Sequence, residues 1–230
     1  MNFCHKVFHI DSNNERDNYT KSINLYLNNH SVELNTPTIK ISNQEEYEYF
    51  IKENQDFNIN PQGYNLDNLQ GWKYGEVGIW ASNFIALKSF IQSDNDYVIL
   101  MEDDIIYDDQ YMPLLKKYIK ELPENWDMFS YFVPKDQKLK YVHEHHDIGK
   151  DNVCKSYQDW SMLCYVVNKR SAKKILEIAS LGIYLPLDWF FYRQTNIFNC
   201  YTVKPYVTIG CKLAPIESTF QKKQERKVLL

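Results

Sequence analysis

Glu102, Asp103 and Asp104 stand in a row at the end of the apolar run Tyr97-Val98-Ile99-Leu100-Met101. A run of that length with adjacent β-branched residues reads as a strand buried on both faces. Three carboxylates at its tip repel one another, and setting them there costs stability. A divalent cation relieves that cost. Mg²⁺ and Mn²⁺ take oxygen ligands and commonly sit on one or two carboxylates together with a substrate's phosphates. In an open α/β sheet the ligand crevice lies beyond the carboxyl ends of the strands, where these acids fall. The competing reading is an acidic strand-to-loop junction that water solvates. A second cluster, His143-Glu144-His145-His146-Asp147, has metal-binding residue types but not metal-binding spacing, because neighbours on a strand point to opposite faces. It reads better as part of a loop.

The elements that must position these residues alternate. Lys6–Ile10 is β-like, and Asn13 or Asn14 caps a helix from Glu15 to about Leu27. Thr36–Ile41 reads as a strand broken at Pro37, and Ser42-Asn43-Gln44-Glu45 as a capping box opening a helix to about Ile51. A polar loop over 53–71 precedes a helix from Glu76 to about Ile91, then the strand at 97–101. A helix from Asp109 to Leu122 stops at Pro123, and Asp127–Val133 is a strand. Lys135–Gln158 reads as a second long loop. Ser161–Val167 is a strand, Ser171–Ala179 a helix capped by Ser171, Leu187–Arg193 a short helix and Tyr201–Ile209 a final strand. The order argues for an α/β fold, a mostly parallel sheet flanked by helices. No repeat or linker divides the chain, so residues 1–230 are expected to form a single domain, with a core over about 5–220 and a short basic tail at Lys222, Lys223, Arg226 and Lys227.

Composition narrows the partners. At 230 residues the chain can bury a large core without staples. A net charge of −4 provides no broad basic field, which argues against nucleic acid. No apolar run approaches the ~18 residues of a transmembrane helix, and the N-terminus lacks a signal peptide's apolar core; a soluble, cytoplasmic protein is expected. Cys4, Cys154, Cys164, Cys200 and Cys211 are odd in number, scattered and without a CxxC, so reduced thiols are expected.

Several segments resemble one family. Gly75-Glu76-Val77-Gly78-Ile79-Trp80-Ala81-Ser82-Asn83 is similar to the "GEIGCALSH" motif of family 25 glycosyltransferases, the lipopolysaccharide, lipooligosaccharide and procollagen galactosyltransferases. Tyr97–Asp104 resembles that family's "LILEDD" strand, Lys6–Arg16 its opening strand and turn, Tyr165–Leu176 its later strand–helix segment and Pro186-Leu187-Asp188 its "PxD" element. The chain departs from the pattern at Asn83, where the family has His, and at Ile79, where it has Cys. It also has no His after His146, where many GT-A enzymes use a late His as a metal ligand.

The resemblance implies a GT-A-like, Rossmann-type fold. It also implies a metal-dependent hexosyltransferase that moves galactose or a related sugar from a UDP-sugar to a glycan or hydroxylysine hydroxyl, with inversion and with Mn²⁺ or Mg²⁺. Asp104 is then the direct metal ligand, and Glu102 or Asp103 contacts the ribose or the metal. Inversion needs a carboxylate base. Asp188, followed by Trp189-Phe190-Phe191, is the candidate, because apolar surroundings raise a carboxyl's pKa toward neutrality. Asp127 and Asp159 are its rivals, and offsetting a helix dipole is its alternative role. Glu76 is shared between a donor-site role and helix capping, and Arg16 between the diphosphate and a surface pair. Trp80, Trp160 and Trp189 stack on sugars or fill the core. Two other readings stand beside this one. The departures suit an inactive relative that binds nucleotide sugars or glycans. A nucleotidyltransferase would need a glycine-rich phosphate loop, which His9–Asn13 lacks.

Overall fold

The computed structural model describes residues 1–8, 18, 20, 21, 23, 26, 33–35, 38–60, 71–132, 146–156, 163–193, 196–204 and 208–213. In chain order its elements are β1 (Phe3–Phe8), β2 (Glu33–Asn35), α1 (Gln44–Glu53), α2 (Tyr74–Gln92), β3 (Tyr97–Glu102), β4 (Ile105–Tyr107), α3 (Tyr111–Ile119), β5 (Met128–Phe132), β6 (His146–Asp147), β7 (Val153–Lys155), β8 (Cys164–Asn168), α4 (Lys169–Leu181), α5 (Leu187–Arg193), β9 (Cys200–Val203) and β10 (Cys211–Leu213). Asn18, Thr20, Lys21, Ile23 and Tyr26 are also helical, in line with the helix expected there.

Eight strands form one sheet in the order β2-β1-β3-β8-β5-β9-β7-β6. β1 is parallel to β2 and β3, β8 is antiparallel to β3 and β5, and β9 is parallel to β5. β7 is antiparallel to both β9 and β6. Six of the eight strands therefore point one way, and only β8 and β7 oppose them. The fold is mixed α/β with a mostly parallel sheet.

β3 lies inside this sheet and is covered on both sides. Val98 and Leu100 face a core layer made by α1, α2, α4 and α5, with Phe50, Val77, Phe84, Ile175 and Phe190 among its residues. Ile99 and Met101 face the opposite layer, built from Ile23 and the α3 residues Met112 and Leu115. Each such side chain contributes about 1.5–3 kcal/mol when fully buried.

Four expectations shift. The second strand is Glu33–Asn35, not Thr36–Ile41. Residues 38–41 instead lie against α2, where Ile39 N donates to Ser82 Oγ at 2.8 Å. A Cβ on Gly78 would sit 3.0 Å from Ile39 O, so glycine sets this close approach. The cap of α1 is Asn43, which accepts from Glu46 N, while Ser42 N donates to Glu46 Oε2; the box expected at Ser42 and Glu45 moves by one residue. The α4 cap is likewise Asn168, accepting from Ser171 N. The region read as a loop over 135–158 holds the β6–β7 hairpin, which extends the sheet past β9.

β4 leaves the main sheet and pairs antiparallel with β10, Tyr107 opposite Cys211. Gly210 enters β10 at φ 67° and accepts from Asp108 N through its carbonyl. A Cβ there would lie 2.6 Å from Tyr111 N. Gly210→Ala should therefore cost about 2 kcal/mol or more, from left-handed strain and the clash together. Urea unfolding measures it, and an unchanged midpoint would show that this turn relaxes freely.

Candidate active site

The main sheet ends β3 at Glu102, which lies opposite Phe8, the last residue of β1, and donates its N–H to Leu163 O at 2.9 Å. The chain then turns at Asp103 and Asp104 into β4. Asp103 is only 2% exposed and Asp104 9%, while Glu102 is half-buried. A merely solvated junction would leave such acids in water. Asp104 is close enough to the Tyr107 phenol to act on it. Burial pushes that phenol well above its ordinary range, and the Cys164 and Cys211 thiols and the Asp104 carboxylate add to the shift.

Two other elements bring carboxylates to this end of the sheet. α2 leads through Ser93 into the start of β3, so its far end lies back toward the tip. Its 19 residues span about 28 Å, against about 20 Å for the 6 residues of β3. Glu76, in the first turn of α2, therefore sits at the carboxyl end of β3. α4 starts beside Asn168, which is opposite Tyr97, and its 13 residues climb about 20 Å in the same sense. The segment after it is tied to α2 by Trp80 Nε1 donating to Leu185 O at 2.8 Å and by the Trp80–Phe190 edge contact at 4.9 Å. α5 and Asp188 follow directly.

Asp188 Oδ1 accepts from Trp189 N at 2.9 Å. Burial holds its carboxyl above the usual range, and the Glu76 charge adds to the shift, so these two acids share a neighbourhood. Glu76 itself accepts from Lys73 N at 3.0 Å and pairs with Lys73 Nζ at 3.3 Å. Its capping role is thus real, and Lys73 is a partner that the sequence reading did not single out.

The structure separates other candidates from this end. Asp127 immediately precedes β5, beside the start of β3, about 16 Å below the tip on strand geometry. It accepts from Asn199 N at 2.9 Å, Lys174 Nζ at 3.1 Å, Ser171 Oγ at 3.3 Å and Arg170 at 3.5 Å. That is a structural anchor for α4 and β9. Trp80 is core. Asn83 is buried, donating to Ile79 O and accepting from the Tyr165 hydroxyl, so the Asn at the motif's His position ties α2 to β8. His146 lies exposed on β6. Arg16, Asp159, Trp160, His143, Glu144, His145 and the basic tail lie outside the described residues.

Among the described residues no three His, Cys, Asp or Glu side chains converge as a metal cage. Glu102 and Asp104 carry oxygen donors, the ligand type that hard divalent cations take. Also among the described residues, no helix is long and apolar enough to cross a membrane.

No protein-family model and no curated protein sequence matches the chain. Solved structures similar to it include protein A197 from STIV, at 11% identity over 94% of this chain and 96% of that one, TM-score 0.43. Another is the Drosophila β-1,4-galactosyltransferase 7 in complex with manganese, UDP-Gal and xylobiose, at 12% identity over 100% and 76%, TM-score 0.47. A third is a glycosyltransferase involved in glycosylating the major capsid of PBCV-1, at 12% identity over 86% and 75%, TM-score 0.43.

Asp188, half-buried, and Asp127, buried, respond oppositely to the same change. At Asp188 the raised pKa means that the unfolded chain ionises first as pH rises above about 4, and stability is lost from there up to the folded value. Asp188→Asn should melt above wild type at pH 7, with the gap closing toward pH 4; a lower melting point at pH 7 would contradict the burial. Asp127→Asn removes the charge that Lys174 and Arg170 meet and should lose about 2 kcal/mol. An unchanged urea midpoint would remove its anchoring role.

Proposed function

We propose that this chain is a metal-assisted glycosyltransferase. It moves galactose or a related hexose from a UDP-sugar to a hydroxyl of a glycan or hydroxylysine acceptor, with inversion, in the manner of the family 25 enzymes its motifs resemble. One observation carries the reading. The segments around Glu76, Glu102–Asp104 and Asp188, far apart in sequence, reach the same carboxyl end of the sheet, and that is the end where open α/β sheets bind ligands.

Asp104 and Glu102 are the residues that would hold Mn²⁺ or Mg²⁺; when bound, the cation offsets the charge developing on the departing diphosphate. Asp103, Glu76 and Arg16 belong to the nucleotide-sugar side. Asp188 takes the proton of the acceptor hydroxyl as that oxygen bonds to the anomeric carbon and the bond to the diphosphate breaks. Burial raises its carboxyl above the usual range, the direction that makes the carboxylate a stronger base. The hydrogen bond from Trp189 N holds the carboxylate in place. Half-buried Trp189 offers an aromatic face of the kind that sugars stack on. Asn83 has a packing role, joining α2 to β8 through the Tyr165 hydroxyl.

Calorimetric titration with UDP should show binding that requires Mn²⁺ and is lost in Asp104→Ala. Asp188→Asn should keep that binding and lose about a hundredfold or more in turnover once a donor and acceptor pair is found. Absence of UDP binding in the wild type, or full turnover in Asp104→Ala, would sink the proposal.

A further inference from the structure

Lys6 is the one lysine among the described residues that is almost wholly enclosed, at 2% exposure. It lies in β1 between Cys4 and Val7, where an apolar residue would fit the strand better. No hydrogen bond or ion pair joins it to another described residue. Enclosing the four-carbon stem in this way limits which side of the sheet the ammonium can reach. Strand alternation decides where it points. Phe3 and Val7 belong to the α3 side of the sheet, Cys4 and Phe8 to the α2 side, so Lys6 projects on the α2 side. On β3, Val98 and Leu100 face that same side, and Glu102 follows them in alternation. In the register Lys6 is opposite Leu100 and Phe8 is opposite Glu102. Lys6 is thus one strand across from Glu102 and two residues below it, about 7 Å along the strand, which the four-carbon stem of a lysine spans.

We infer that Lys6 is a binding residue for an anionic ligand at the carboxyl ends of β1 and β3, its ammonium meeting the phosphates. The identity of that anion as the diphosphate of a nucleotide sugar rests on the function proposed above. The charge balance of this end supports the assignment. Glu76, Glu102, Asp103, Asp104 and Asp188 gather there, and Lys73 is already paired with Glu76. A lysine at this end would set a positive charge of the chain's own beside a diphosphate. A lysine held in apolar surroundings is a stronger partner than one in water, because the local dielectric is low.

Lys6→Met keeps the stem and removes the charge. Calorimetry with inorganic pyrophosphate and with UDP, each with and without Mg²⁺, should show wild-type binding that weakens about tenfold or more in Lys6→Met and is largely restored in Lys6→Arg. The melting point of ligand-free Lys6→Met should stay close to that of wild type, since methionine keeps the enclosed stem. A lysine that merely supports the fold predicts the reverse pair, unchanged affinity and a lower melting point, and that result overturns the inference. So does equal pyrophosphate binding by wild type and Lys6→Met, or none by either. Lys6-dependent binding of pyrophosphate without any binding of UDP leaves Lys6 in its role and removes the nucleotide-sugar reading instead.

Discussion

The burial of β3 on both faces is the constraint from which the rest follows. A strand with a core layer on each side can hold no polar side chain along its length without a partner, and Val98 to Met101 comply. Polar residues can enter only where the covering layers end. Glu102, Asp103 and Asp104 begin at that limit, and the turn into β4 keeps the last two enclosed instead of releasing them into solvent. The energy of the two apolar layers holds three like charges close together, which no local interaction would do.

The α2 layer sets how near the other acids come. Gly78 lets residues 39–41 press against the helix, Ser82 takes up the Ile39 N–H left without a strand partner, and Asn83 joins the helix to Tyr165 on β8. These polar residues of the glycine-containing motif fasten the helix, and Glu76 at its outer end faces the site. One motif thus divides into a packing half and a half whose Glu76 charge is felt at Asp188.

The two ends of the sheet differ in charge logic. At the amino end of β3, Asp127 is surrounded by Lys174, Arg170, Ser171 and a backbone N–H, so its charge is answered within the chain. At the carboxyl end, carboxylates from three segments gather, with Lys73 committed to Glu76 and Lys6 opposite Leu100, two residues below Glu102. Carboxylates gathered in this way are a common mark of a ligand site.

Much of this was legible in the residues. The apolar run of β3, its acidic tip, the long helix α2 and the short helix α5 each follow from local pattern, because burial on two faces, helical spacing and a preceding proline act within a few residues. The strand at 33–35, the β6–β7 hairpin and the opposed direction of β8 were not, since short strands are made by their neighbours and direction is set by pairings between distant segments. The same holds for the acids. Sequence could name Asp127 and Asp188 as rivals but not separate them, because a carboxylate's role depends on what packs around it. Lys174 and Asn199 come to one, and Glu76 and an apolar wall come to the other. The chemistry available to this protein was written in its residue types; which of them meet was decided by the sheet.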